Sequence, residues 1–151
     1  MLGWSFRLGD SDLILAARSQ QRFTNPTAAI VIQFNDDGLI DSVRPLVRTG
    51  PGEGFAFGLI SDETVSFAES VLRAALEPAE GEGEFVAPHA ANLARAWRLA
   101  FVCSHVGRHR GETWSMTAGE VRRWLADYAG GDPDVALYRA EEAVAGRRPR
   151  P

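Results

Sequence analysis

The side chains most able to do chemistry crowd into one stretch, Cys103-Ser104-His105-Val106-Gly107-Arg108-His109-Arg110-Gly111-Glu112-Thr113-Trp114. It contains the single cysteine and two of the three histidines. On a continuous helix, Arg95, Arg98, Val102, His105 and His109 recur every three or four residues, which puts them on one stripe. That stripe lies away from Leu93, Trp97 and Phe101, the apolar line of the same segment. Arg108, Arg110, Arg122 and Arg123 enlarge the basic group, and Glu112 and Trp114 stand beside it. Guanidinium and imidazole groups gathered in this way suit a phosphate, a carboxylate or a nucleic-acid backbone. The plainer alternative is a solvated helix face followed by a polar loop.

Two sharper chemistries can be weighed on the same residues. Imidazole and thiolate are zinc ligands, but on a regular helix Cys103 and His105 point about 160° apart, so no metal is expected. A cysteine nucleophile needs an adjacent base. Cys103 falls among Phe101, Val102 and Val106, and the expectation is a small buried apolar residue without a catalytic role. Trp114, in a polar loop, either plugs the core or anchors a partner, and the plug is the first expectation. The glycine-rich run Gly50-Pro51-Gly52-Glu53-Gly54 precedes a strand-like segment and lacks a lysine. It therefore reads as a connection that tolerates unusual dihedrals, not a phosphate cradle. No cofactor is expected.

Every basic residue is arginine, and the 151 residues include no lysine. A GC-rich bacterial genome or selection against amine chemistry would each produce that composition. Either way, Schiff-base and P-loop lysine mechanisms are excluded. The net charge of −4 is unevenly spread. Residues 1–87 carry −7, residues 88–123 carry +4, and the remainder carries −1. A dipolar chain of this kind suggests that its basic segment meets something anionic, either a partner or its own acidic half.

The elements that must position these residues follow from periodicity. Leu2, Trp4, Phe6 and Leu8 alternate as in a half-buried strand, with Leu13–Arg18 as the return strand of a hairpin. Ala28–Phe34 reads as a third strand, with Ile30, Ile32 and Phe34 on one face. Asn35-Asp36-Asp37-Gly38 turns the chain, Leu39–Arg44 forms the fourth strand, and Pro45 confines that strand to an edge or an end. Phe55–Ile60 is expected as a fifth strand.

The period then becomes helical. Ser61 or Asp62 caps a helix whose stripe is Ala68, Val71, Leu72 and Ala75, and residues 77–84 form an acidic linker. Pro88 to Val106 is the second helix. Thr117-Ala118-Gly119-Glu120 is a capping box opening a third, with Val121, Trp124, Leu125 and Tyr128 on its apolar face. Asp132-Pro133 opens a fourth.

The fold class is therefore α+β: an N-terminal antiparallel meander of about five strands, followed by about four helices packing on it. Residues 1–146 form one domain, and residues 147–151 are an Arg/Pro-rich tail. No membrane span or signal peptide is expected, and a reducing cytoplasm fits the single cysteine.

Three functions fit these features. The first expectation is a non-catalytic interaction or assembly protein of the adaptor, immunity or antitoxin kind, using the Arg/His surface on a protein partner or as a homo-oligomer. The second is a small enzyme or ligand-binding domain, with His109 as base, an arginine as anion clamp, and Arg98, His105 and Glu112 lining the pocket. The third is a nucleic-acid binder, against which the net acidity counts.

Overall fold

The structure is a computed structural model that describes residues 13–76 and 86–129. Within them lie four strands and three α-helices, and the class is α+β as the patterning requires. β1 (Leu13–Ala17), β2 (Ala29–Phe34) and β3 (Ile40–Pro45) come first; α1 (Asp62–Leu76) and α2 (Val86–Phe101) follow. β4 (Trp114–Thr117) then precedes α3 (Ala118–Ala129). The sheet is antiparallel throughout, in the order β3-β2-β1-β4.

Two expectations change. Phe55–Ile60 is not a strand: only Phe55 pairs, in a single bridge with Phe23. Phe55, Ala56 and Phe57 are buried one after another, which a strand with one face on a core does not do. Gly58, at φ +79°, then turns the chain. In its place β4 supplies a strand from late in the sequence, pairing Trp114 with Ala17 and Thr117 with Ile14. The sheet is thus not an N-terminal meander. β1 has β2 on one side and β4 on the other. The expected segments 2–8 and 132–145, the linker and the tail lie outside the described residues. No helix among the described residues is long and apolar enough to cross a membrane.

Local chemistry accounts for the rest. The Asn35 carboxamide accepts from the N–H groups of Asp37 and Leu39, and Gly38 takes φ +78°, closing the β2–β3 turn. Ser61 Oγ accepts from Thr64 N at 3.2 Å to cap α1. The capping box of α3 is reciprocal: Glu120 N donates to Thr117 Oγ1 (3.0 Å), and Thr117 N donates to Glu120 Oε1 (3.2 Å).

The helices cover one face of the sheet. Leu15, Ala17, Ala29 and Val31 meet Phe67, Val71, Leu72, Leu93, Trp97, Phe101 and Val121 in the main core. Ile14, Ala16, Ile30, Ile32 and Phe34, on the opposite face, form a second buried cluster. Trp114 is 2% exposed, with its ring edge-on to Phe67 at 5.1 Å and Phe101 at 6.3 Å. It is a core plug, and it fastens β4 to the helices. Trp114→Ala should cost about 3–5 kcal/mol of unfolding free energy in a urea titration, because it removes both ring contacts and leaves a cavity.

Candidate functional site

The end of α2 decides where the chemistry-bearing residues go. Val102–Val106 is a π turn, closed by the Gly107 N–H bonding back to Val102 O at 2.7 Å. Its wider winding breaks the stripe that a regular helix would carry. Val102 and Val106 face the core, while Cys103 is exposed. The expectation of a buried cysteine therefore fails: Cys103 stands about 160° round the helix from Phe101 and so away from the apolar line. His105 turns inward, with its ring 5.2 Å from that of Phe101 and 5.7 Å from that of Trp124. Its Nε2 is buried and has no hydrogen-bond partner among the described residues. Burial holds the imidazole below its ordinary value of 6.5, and the Glu120 carboxylate opposes this more weakly.

The arginines separate into two groups. Arg98 Nη1 lies 2.8 Å from Glu69 Oε1, a carboxylate that is itself buried. Arg110 Nη1 donates to Gly58 O at 2.9 Å, and Arg122 Nη1 donates to Ala75 O at 2.9 Å in the last turn of α1. Five planar donors let a guanidinium satisfy such carbonyls at a helix end. Arg95, Arg108 and Arg123 are exposed, as is Glu112, and none of the four side chains has a partner among the described residues. His109 is not on the helix. Its Nε2 bonds Thr113 O and its ring packs against Phe57 at 5.6 Å. Among the described residues no group of three or more His, Cys, Asp or Glu side chains is placed to hold a metal ion.

Periodicity concealed two features. The first is a buried polar face on α1, comprising Thr64, Ser66, Glu69 and Ser70. The glycine-rich loop packs on it: Ser66 Oγ donates to Thr49 O at 2.6 Å, and Thr49 N donates to Ser70 Oγ at 2.8 Å. Gly50, at φ +102°, lies so close that a Cβ there would meet Ser66 Cα at 3.0 Å. The run is a structural seat for α1, and hydroxyls at 66 and 70, one turn apart, were its only sequence signal.

The second feature is the meeting of residues 58–60 with the loop after α2. Gly58 N donates to Val106 O at 2.7 Å, and a Cβ on Gly107 would stand 3.3 Å from Leu59 O. Gln20 Nε2 donates to Arg110 O at 2.6 Å and ties the same loop to the β1–β2 connection. These bonds hold Ile60, 77% exposed, and Leu59, 38% exposed, beside the segment carrying Arg108. The reading of 55–60 as a strand hid this pair.

Comparison with protein-family models, curated proteins and solved structures gives no match.

Two outcomes follow from this geometry. Arg98→Met strands the buried Glu69 carboxylate and should cost about 2–3 kcal/mol in urea unfolding, whereas Arg98→Met with Glu69→Leu should recover most of that. His105 has a folded-state value below its unfolded one, so between the two the unfolded chain binds more protons. Stability is then present above pH 6.5 and falls as pH drops from 6.5 toward the folded value. Unfolding free energies measured from pH 7.5 down to about 5 should decline less steeply in His105→Phe than in the parent.

Proposed function

We propose that this chain is a non-catalytic interaction or assembly protein, which meets an anionic partner through the surface around Leu59, Ile60 and Arg108. The observation that carries this reading is the exposed Leu59–Ile60 pair, fixed by the Gly58–Val106 bond against a basic loop. Exposed apolar side chains rimmed by charge are the usual composition of a binding patch. Arg108, exposed and without a side-chain partner among the described residues, supplies a cation at its edge.

The small-enzyme reading draws less support from the same geometry. The arginine that would line its pocket, Arg98, is engaged by Glu69, and its base, His109, is held by Thr113 O and Phe57. The nucleic-acid reading uses Arg95, Arg98, Arg108, Arg110, Arg122 and Arg123, of which Arg98, Arg110 and Arg122 are engaged within the fold while Arg95, Arg108 and Arg123 are exposed. Its signature would be heparin retention that falls steeply with salt.

Copurification from the native host tests the main reading. The tagged parent should retain a stoichiometric protein partner, and Ile60→Asp and Arg108→Glu should each lose it while keeping the parent's circular dichroism. If all three capture the same proteins in the same amounts, this surface is not the binding site. If retention depends on nuclease-sensitive material, the nucleic-acid reading takes its place.

A further inference from the structure

We infer that two copies of this chain pair through the outer edge of β3, with Ile40 of each strand opposite Val43 of the other. This does not rest on the anionic-partner reading, since the two surfaces share no residue.

Backbone directions come first. Leu46 N donates to Ala29 O at 2.8 Å. In an antiparallel ladder the direction of these groups alternates along the strand, so Ser42 and Arg44 face β2 and Val43 faces outward. At the other end Asn35 N donates to Leu39 O, also at 2.8 Å, so Ile40 faces outward. Between them Asp41 is the extra residue of a bulge, because Gln33 pairs with Ser42 while Phe34 pairs with Ile40. The outward N–H and C=O groups of Ile40 and Val43 have no partner among the described residues. Pro45, the next outward position, has no N–H to offer.

The side chains fit the same arrangement. Val43 lies opposite Ile32 and Ile40 opposite Phe34, so both stand on the face of the second buried cluster. There the apolar face runs out into solvent: Ile40 is 54% and Val43 43% exposed. A two-fold axis through Ser42 and normal to the sheet places Val43 against the partner's Ile40, and the reverse. Four backbone hydrogen bonds form, every outward donor is used, and two apolar cross-strand pairs close on one face. The alternative that sets Val43 against Val43 puts Pro45, which has no donor, opposite the partner's Ile40, so that each flanking pair makes one bond in place of two.

Charge complementarity favours a second copy as occupant. Asp41 and Arg44 are exposed and have no ion pair among the described residues. The two-fold brings Arg44 of each copy nearer the partner's Asp41 than the partner's Arg44. Bulges, edge charges and edge prolines ordinarily deter indiscriminate strand addition. Here they leave the outward groups of Ile40 and Val43 free among the described residues and supply opposite charges that a second copy can match.

Sedimentation equilibrium of the full chain, up to about 0.5 mM protomer, tests the pairing. The parent should show a monomer–dimer equilibrium. Ile40→Lys and Val43→Glu should each raise the dissociation constant about tenfold or more. The double variant, which sets the introduced ammonium against the introduced carboxylate across the axis, should associate more tightly than either single one. Arg108→Glu should dimerise like the parent. A parent that stays monomeric overturns the inference. So do single variants that dimerise as the parent does, or a double variant no tighter than the singles. Unchanged circular dichroism of each variant separates lost pairing from lost folding.

Discussion

Everything in this molecule is arranged around β1. The strand is hydrogen-bonded along both edges, to β2 and to β4, and Ile14, Leu15, Ala16 and Ala17 are all buried, on alternate faces. A segment in that position admits no polar side chain, since neither face could solvate one. It also needs both backbone partners, because an unpaired interior amide costs about as much as a lost hydrogen bond. The run Leu-Ile-Leu-Ala-Ala meets the first condition. The second forces residues 114–117 to travel back across two helices. The placement of the loop between α2 and β4, with its histidine and arginines, follows from that return.

Local features of the fold were legible in the sequence wherever the cause was local. The Asn35–Gly38 turn, the cap at Ser61 and the capping box at Thr117 each depend on side chains within four residues of the backbone groups they satisfy. Periodicity found the helices for a related reason: a stripe such as Ala68, Val71, Leu72 and Ala75 reports burial directly. β4 was missed although Trp114 and Met116 alternate with Ser115 and Thr117. Four residues carry little periodic signal, and the capping box at Thr117 claims the same segment. Phe55–Ile60 failed in the opposite sense, because its alternation is real but the chain crosses the interior there and buries Ala56 as well.

The candidate site was legible as a place and not as an arrangement. Counting charge located residues 88–123, yet charge alone does not tell which arginines remain available. Arg98, Arg110 and Arg122 are engaged by a buried carboxylate and two carbonyls, contacts made across 29, 52 and 47 residues of sequence. Cys103 lies on the side of the helix opposite Phe101, and His105 turns inward at a π turn, which no propensity scale anticipates. In a chain without lysine, arginine serves as the internal clamp as well as the surface cation. A planar fork of five donors suits both uses.

The late arrival of β4 also sets the order of events on the ribosome. About a hundred residues separate it from β1, which at ~5–20 residues per second is roughly 5–20 s of synthesis. Through that interval β1 and β2 can pair as a local hairpin, but the Ile14–Ala17 edge awaiting Trp114–Thr117 stays open. An apolar strand with a free edge recruits other chains. The nascent protein therefore passes through a stage whose sticking surface is the strand that ends as its most protected one, and what ends that stage is the emergence of Trp114.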